Sequence, residues 1–369
     1  MELTQITLDD FYNFTIPYIA AGNTQPILLW GPYGAAKSSG VRELQSRLND
    51  PEIQAQFGLK GSYNLLDVRL SQFDAVDTRG IPYESDGKTT WLQPDWLPDP
   101  EIHGEFGILF LDELLLAAKG VQNAAYQLLQ ERQLGDYTLP PGWFVLAASN
   151  RPEDGAGLTG AKFDAAISNR FACHYSVLPD PKQWIAWASK AGISPEIIAF
   201  ISAFGEATLN ENGETDQAGL LHEYPDGGVP KGKVSIATPR TWESASNILK
   251  LGLDPRLESL ALESCVGKGA ASQLSGFLQI VRTLPPASQI FNDPDNAPIP
   301  SERSTQYAIA TILANKADES SFGAALKYLQ RVSGELESVC VIIATNRNKN
   351  LLNTQAYGDW KIRHQAESI

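Results

Sequence analysis

The sequence contains little cysteine and no long apolar run. Its three cysteines, Cys173, Cys265 and Cys340, are far apart and odd in number. They form neither a disulfide framework nor a metal-binding spacing, so we expect a reducing, cytoplasmic location. No window approaches the uninterrupted apolar length that a membrane span needs, and the first residues show no signal-peptide pattern. We therefore expect no membrane partner.

Positive charge is also scarce. The chain has 29 Lys and Arg against 43 Asp and Glu, a formal net charge of −14 and a sequence pI of about 4.8. Non-specific DNA binding depends on neutralising phosphates with Lys and Arg, so this balance argues against a nucleic-acid partner, although a local basic pore is compatible with it. The length of 369 residues suggests two domains, or one large domain with an appendage, and a hydrophobic content of 43% allows a sizeable core.

A short apolar run near the N-terminus leads into a glycine-containing turn. Ile27–Trp30 has the length of a buried strand, and a helix-compatible run begins at Lys37. The pattern Gly31-x-x-x-x-Ala36-Lys37-Ser38 matches a phosphate-binding loop at all but one position. In such a loop, backbone N–H groups point at the phosphates. The predicted nucleotide-binding residues of this stretch are Gly31, Pro32, Tyr33, Gly34, Ala35, Ala36, Lys37, Ser38 and Ser39.

Three residues of this loop have distinct expected roles. Lys37 would reach the β- and γ-phosphates of ATP, and the Ser38 hydroxyl would hold Mg²⁺. Ala36 stands where the common pattern has glycine. A helical φ at Ala36 would be harmless, whereas a positive φ would cost roughly 1 kcal/mol or more. The alternative interpretation of the loop is a glycine-rich turn in an unrelated α/β protein.

A second apolar run ends in two carboxylates. Gly107–Glu113 reads GILFLDE, as a buried parallel strand does when it delivers acids at its carboxyl end. Such carboxylates are costly to bury without a cation, and Mg²⁺ would supply one. We predict that Asp112 binds the metal and that Glu113 activates the attacking water as a general base. The alternative is a strand-end Asp-Glu pair that simply begins a loop.

Three further strands complete the predicted sheet. Trp143–Ala148 is apolar and precedes Asn150, which could sit between the γ-phosphate and the water or could simply be a turn residue. Tyr63–Leu70 is another predicted strand. After a short predicted helix over residues 162–171, Cys173–Val177 is the last. We predict an α/β fold: a parallel five-stranded sheet with helices on both faces and the functional residues at one edge.

The composition changes near Pro179, and the rest of the chain is predicted to be mainly helical. Thr238 is a plausible helix N-cap with Pro239 in the first turn. This places Arg240 at a helix start, where a cation opposes the helix dipole and invites an anion such as a phosphate. The alternative is an Arg paired with a nearby Glu. A linker rich in Pro, Asn and Asp then spans residues 285–303.

These features predict three domains. They are an α/β nucleotide-binding domain (1–178), a helical lid (179–285) and a helical C-terminal extension (286–369). Within the first, Asp86-Gly87 has the sequence of a hairpin tip. Trp91 and Trp96 follow it, and two interpretations stay open: a packed surface hairpin, or a loop that projects toward a substrate or pore.

Five motifs, in order, resemble those of AAA+ ATPases, and within them the MoxR-like branch. Gly31–Ser38 resembles the Walker A loop and Leu109–Glu113 resembles Walker B. Asn150 matches sensor 1, Arg170 in SNRF matches the arginine finger, and Arg240 in TPRTWE matches sensor 2. The stretches RLSQFDAVDTRGIP and PDWLP are also similar to segments of MoxR-like members. The resemblance covers about residues 25–285 and leaves the C-terminal part without support from motifs.

The resemblance implies an ATP-driven ring, usually a hexamer, with ATP and Mg²⁺ as cofactors. AAA+ proteins place nucleotide between subunits, so Arg170 would act on a neighbour's γ-phosphate and Arg240 would act in cis from the lid. An arginine finger supplies about 10³ to 10⁵ in rate. MoxR-like ATPases are similar to chaperones that remodel or activate partner proteins, often ones with a von Willebrand factor A domain. The implied partners are therefore a homo-oligomer and a protein client.

Two other functions remain as alternatives to a protein-remodelling motor. A nucleic-acid motor or loader is disfavoured by the acidic balance and by the lack of a helix-turn-helix or a basic stripe, and steeply salt-dependent DNA binding would revive it. A non-catalytic module that binds ATP as a switch is disfavoured by Glu113, because such a module needs no general base. Tight ATP binding without turnover would support that second alternative.

Overall fold

The computed structural model describes residues 3–151, 154, 168–209, 215–217, 219–225, 228–230, 232–282, 284 and 286–366. The chain forms two compact units. The first comprises Met1–Leu178 and Tyr224–Pro230, and the second comprises Pro179–Glu223 and Lys231–Ile369. The division of the second unit at residue 285, into a lid and a C-terminal extension, stays a prediction.

Short strands are concentrated in the first unit. In chain order, the strands are β1 (Thr4–Ile6), β2 (Ile27–Trp30), β3 (Tyr63–Arg69), β4 (Ile81–Ser85), β5 (Lys88–Leu92), β6 (Phe106–Asp112), β7 (Gln133–Leu134), β8 (Tyr137–Thr138), β9 (Trp143–Ser149), β10 (Cys173–Val177), β11 (Thr208–Leu209) and β12 (Thr215–Gln217). Six of them form one sheet in the order β1-β10-β2-β9-β6-β3. Every neighbouring pair in this sheet is parallel.

The predicted α/β fold with a parallel sheet and a helical C-terminal part is confirmed. The structure adds an edge strand to the predicted five, because β1 pairs with β10 and extends the sheet. With three residues, two of them exposed, β1 is too short to give a periodic sequence signal. The central strands β2 and β9 are buried along their whole length, which matches their continuous apolar sequences.

Helices cover both faces of the sheet. They are α1 (Leu8–Ala20), α2 (Lys37–Leu48), α3 (Pro51–Phe57), α4 (Ala75–Arg79), α5 (Pro100–His103) and α6 (Lys119–Glu131). Alternate residues of β2 point to opposite faces: Leu28 belongs to one apolar cluster and Leu29 to another. Each cluster joins strand side chains to helix side chains, as a doubly covered parallel sheet requires. Most of the helix predicted over residues 162–171 lies outside the described residues.

Where the structure describes the second unit, its regular elements are helices, apart from the short antiparallel pair β11 and β12. Its helices are α7 (Pro181–Lys190), α8 (Pro195–Phe204), α9 (Pro239–Lys250), α10 (Pro255–Val266), α11 (Lys268–Val281), α12 (Ala287–Asn292), α13 (Arg303–Lys316), α14 (Phe322–Gln330), α15 (Gly334–Arg347) and α16 (Gln355–Ala366). They share one apolar cluster that runs from Trp184 to Leu351. Thr238 caps α9 and Pro239 occupies its first turn, so both predictions are confirmed. Among the described residues, no helix is both long and apolar enough to cross a bilayer.

Candidate functional site

Three neighbouring strands of the first unit deliver polar residues to one edge of the sheet. Trp30, the last residue of β2, pairs with Ser149, the last residue of β9. Leu111 of β6 pairs with Ala147 on the other side of β9. Because carboxyl ends of parallel strands meet at one edge, the loop after β2 lies beside Asp112 and Asn150. The predicted clustering of these residues therefore follows from the sheet register.

Lys37 is held at this edge by three oxygen atoms. Its Nζ donates to the carbonyl oxygens of Gly31 at 2.7 Å and Pro32 at 3.0 Å, and to Asn150 Oδ1 at 2.8 Å. The first two acceptors belong to its own loop, and the third belongs to the residue after β9. The ammonium group therefore joins the loop to the predicted sensor residue. A phosphate placed here would meet a fixed cation.

Ser38 and Asp112 form a second polar pair. The Ser38 hydroxyl donates to Asp112 Oδ2 at 2.7 Å, and Asp112 is buried at the end of β6. Mg²⁺ is usually bound by one or two protein oxygens together with substrate phosphates and water. The hydroxyl and carboxylate oxygens fit that chemistry. Within the described part of the chain, no cluster of three His, Cys, Asp or Glu side chains suits a metal ion.

The backbone of this loop is left-handed at two positions, one of which is an alanine. Ala36 has φ 63° and ψ 20°, so it lies in the left-handed region immediately before α2. This is the unfavourable case considered from the sequence, and it costs roughly 1 kcal/mol. Gly34 also has a positive φ, of 74°. At Gly31 a Cβ would lie 2.7 Å from the carbonyl oxygen of Val177, so a side chain does not fit.

Glu113 follows Asp112 in a left-handed conformation, with φ 57°. Its N–H donates to Asp112 Oδ1 at 2.9 Å. The Ser71 hydroxyl donates to the Glu113 carboxylate. The sequence analysis missed Ser71. Its position follows from the structure, in which Arg69 at the end of β3 pairs with Asp112 at the end of β6.

Tyr33 extends the polar network toward solvent. Burial raises the pKa of its phenol, a hydrogen bond with Asn150 acts in the opposite direction, and the nearby charges of Asp154 and Glu113 raise it further. Asn150 is itself buried and contacts both Lys37 and Tyr33. The Asn150 amide therefore contacts two residues of the same loop.

The two predicted arginines have different surroundings. Arg170 lies in the first unit, where its Nε donates to Gln130 Oε1 at 3.0 Å and its guanidinium lies 5.3 Å from the centre of the Tyr126 ring. Arg240 lies in the second unit, in the first turn of α9, and is exposed. The roles of both, like those of the other candidate residues, stay predictions.

A buried ion pair follows Asn150 directly. Arg151 contacts Asp154 at 2.7 Å, and both side chains are almost fully buried. The sequence alone assigns Arg151 no role. A charged residue in a turn is ordinarily solvated, so nothing in the local pattern separated this arginine from a surface residue.

The structure separates the two tryptophans that the sequence grouped. The β4–β5 hairpin is exposed at Ile81, Trp91 and Leu92, and its tip has left-handed residues at Asp86 and Gly87, as predicted. Trp96 lies outside the hairpin. It packs edge-on against the Phe73 ring, with 5.7 Å between the ring centres, and donates to the carbonyl oxygen of residue 77.

No protein-family model and no curated protein match the chain. Among solved structures, it is similar to NtrX from Brucella abortus in complex with ATP, at 16% identity and a TM-score of 0.40, over 96% of this chain and 69% of NtrX. Another NtrX structure matches over 81% of this chain but only 56% of its own length, at 15% identity and a TM-score of 0.33. The Thermotoga maritima RuvB Holliday junction branch migration motor is similar at 13% identity and a TM-score of 0.34, over 75% of this chain and 74% of RuvB. Similarities this low assign neither a family nor an activity.

Proposed function

We propose that this chain is an ATP-hydrolysing AAA+ protein of the MoxR-like branch that remodels or activates a partner protein. The observation that carries the proposal is the pair of contacts at one sheet edge, Lys37 with Asn150 and Ser38 with Asp112. The sequence contains five motifs in the order found in this family. Residues of three of them, the loop with Lys37 and Ser38, the strand end at Asp112, and Asn150, lie within hydrogen-bond distance of one another. Glu113 follows immediately and supplies a candidate base.

Each residue of the edge has one role in this proposal. Backbone N–H groups of the loop from Gly31 to Ser39 would bind the phosphates at the start of α2. Lys37 would turn from its loop carbonyls to the β- and γ-phosphates. Glu113 would take a proton from the attacking water, and Asn150 would hold that water in line with the γ-phosphate.

Ser38 and Asp112 would hold Mg²⁺, directly or through water. The bound ion would neutralise charge that develops on the phosphate oxygens. The two side chains already share a hydrogen bond of 2.7 Å, so their oxygens need little rearrangement to face one cation. Asp112 is buried, and a cation partner would offset the desolvation of its carboxylate.

The assembly and the partner belong to the same proposal. Arg170 would complete the active site of a neighbouring subunit in a hexameric ring, and Arg240 would contact the nucleotide from the helical unit. Head-to-tail contacts of one chain with its copies close into rings when the rotation permits. The client would be a cytoplasmic protein, with a von Willebrand factor A-domain protein as the first candidate.

The proposal is tested by ATP turnover per subunit across protein concentrations, with the mass followed by light scattering. If sites are shared between subunits, specific activity rises as the ring assembles. Adding Lys37→Ala subunits to Arg170→Ala subunits should restore some turnover, because an intact arginine then faces an intact loop. Equal activity in a persistent monomer would contradict shared sites. ATP binding without turnover, in the monomer and in the assembled ring alike, would contradict the proposal that the chain hydrolyses ATP.

A further inference from the structure

The main chain directly after Asn150 is fixed by a single carboxylate. The Arg151 N–H donates to Asp154 Oδ2 at 2.7 Å. The Arg151 guanidinium binds the same carboxylate, with Nη2 at 2.7 Å from Oδ1 and Nε at 3.1 and 3.2 Å from the two oxygens. Asp154 therefore holds both the backbone and the side chain of Arg151. Because Asn150 and Arg151 share a peptide bond, the same contacts restrict the backbone of Asn150.

Both charges of this pair are buried. The side chain of Arg151 is 6% exposed and that of Asp154 is 1% exposed. A buried ion pair stabilises the fold little more than well-packed apolar residues would, because both ions lose their hydration. Its geometry here is nevertheless close and multiply hydrogen-bonded, which fixes the direction of the chain more tightly than apolar contacts do. The pair therefore contributes more to position than to stability.

Arg151 has a further acceptor in a segment far along the sequence. Its Nη2 donates to the carbonyl oxygen of Pro225 at 2.5 Å. Pro225 belongs to Tyr224–Pro230, which we call the return segment because it is part of the first unit although the residues on either side belong to the second. Arg151 thus joins the end of β9 to the return segment, and its guanidinium is held from two sides.

We propose that Arg151 and Asp154 are positioning residues that hold the Asn150 amide against Lys37 for ATP hydrolysis, an inference that rests on the proposed function. The Asn150 oxygen lies 2.8 Å from Lys37 Nζ, and the Asn150 amide also contacts Tyr33. A small rotation of the Asn150 backbone would break both contacts. ATP binding depends mainly on the loop N–H groups, so loss of the pair reduces the rate of hydrolysis more than the affinity.

The test is the Asp154→Asn variant, which has nearly the same shape and keeps an acceptor for the Arg151 N–H but removes the negative charge. We expect kcat to fall about 10- to 100-fold, since a misplaced catalytic group can cost about that much. The dissociation constant for fluorescent ATP should change less than about threefold, because binding and chemistry are lost separately when a positioning contact is removed. Asp154→Glu should restore part of kcat, because it returns the charge.

The control is Glu258→Gln in the second unit. It breaks an ion pair of which only the carboxylate is buried: Arg282 Nη2 lies 2.8 Å from the Glu258 carboxylate, and the Arg282 side chain is 51% exposed. This variant should lower the unfolding midpoint and leave kcat unchanged. If Asp154→Asn also lowers only the midpoint, with kcat unchanged at a temperature where it is folded, the positioning role is overturned.

Arg151→Lys provides a second route should Asp154→Asn not fold, because it keeps the charge and loses the forked contact with Asp154 and Pro225. It should show the same loss of kcat at nearly constant affinity. An unchanged kcat for Arg151→Lys would overturn the inference alone. Absence of ATP turnover in the wild-type protein would overturn the proposed function, and the inference with it.

Discussion

The two compact units bury their charged side chains in different ways. In the first unit, Arg151 and Asp154 are both almost fully buried, at 6% and 1% exposed, at the edge where the strands end. In the second unit, Glu258 is buried but its partner Arg282 is 51% exposed, so that pair keeps much of its hydration. Desolvating both partners is the more expensive arrangement. The first unit carries this cost beside its candidate site, whereas the Glu258–Arg282 pair of the second unit does not.

The apolar cores of the two units also differ. The described residues of the second unit form one apolar cluster, in which the centre of the Phe200 ring lies between 5.1 and 5.5 Å from the ring centres of Phe204, Trp242 and Phe277. The first unit has two clusters, on either side of a sheet whose end is polar. We infer that chemistry and stability are concentrated in different places. Substitutions in the first unit should therefore alter turnover, and core substitutions in the second should alter unfolding.

Arg170→Ala is expected to have a large effect on turnover. If Arg170 completes a neighbour's site, its loss should slow hydrolysis about 10³-fold, the lower end of the range for such arginines. ATP affinity should stay near that of the wild type, as measured by titration with a fluorescent analogue. Arg42→Ala, which breaks an exposed pair with Asp67, is the matched control and should change turnover little. A similar loss in both variants would contradict a specific role for Arg170.

Phe200→Ala is the corresponding test in the second unit. Removing a fully buried aromatic ring should lower the free energy of unfolding by about 3–5 kcal/mol, as measured by urea unfolding. Leu257→Ala, at a side chain that is 53% exposed, should have only a small effect. At a temperature where Phe200→Ala is folded, its ATP affinity should match the wild type. A strong loss of ATP affinity in folded Phe200→Ala would contradict the inference that residues for ATP chemistry and residues for stability lie in different units.

Lys37→Ala should change binding without changing the core. A hydrogen bond to a charged group contributes about 1.5–3 kcal/mol, so ATP affinity should fall about 10- to 100-fold. The exposed Lys60→Ala variant has the same change in net charge and should bind ATP normally. Equal loss in the two variants would point to general charge attraction and would remove Lys37 from the site.

Ala36→Gly should have the smallest effect, and it should be stabilising. Ala36 has a φ of 63°, so glycine relieves a strain of about 1 kcal/mol. The neighbouring Ala35→Gly is the control, because Ala35 does not have a positive φ and glycine there should destabilise by about 0.4–1 kcal/mol. The urea midpoint should rise for Ala36→Gly and fall for Ala35→Gly, with the dependence on denaturant concentration unchanged. Destabilisation in both would show that the left-handed backbone of Ala36 is not a source of strain.

The sequence was most informative where a local pattern is typical of a single secondary structure. Continuous apolar runs located β2, β6 and β9, and the parallel arrangement placed Lys37, Asp112 and Asn150 at one edge. The start of α9 was equally clear, since threonine is favoured at the N-cap and proline at the first helical position, where Thr238 and Pro239 lie. In each case the local signal and the tertiary contact agree.

Contacts between distant segments could not be predicted in the same way. Ser71 reaches Glu113 only because β3 pairs with β6, and the pattern of β3 alone does not specify its neighbour. The local sequence around Arg151 indicates neither of its contacts, with Asp154 and with the carbonyl oxygen of Pro225. The short edge strand β1 is defined by its partner β10 rather than by its own three residues.

The most direct test of the account is the rate of ATP hydrolysis by Glu113→Gln at saturating ATP and Mg²⁺. The substitution keeps the size of the side chain and removes the proposed base beside the Ser38–Asp112 pair. We predict that ATP still binds and that hydrolysis slows about 10²- to 10⁴-fold, the usual contribution of a positioned base. Hydrolysis at the wild-type rate would contradict the claim that this sheet edge is the ATPase site.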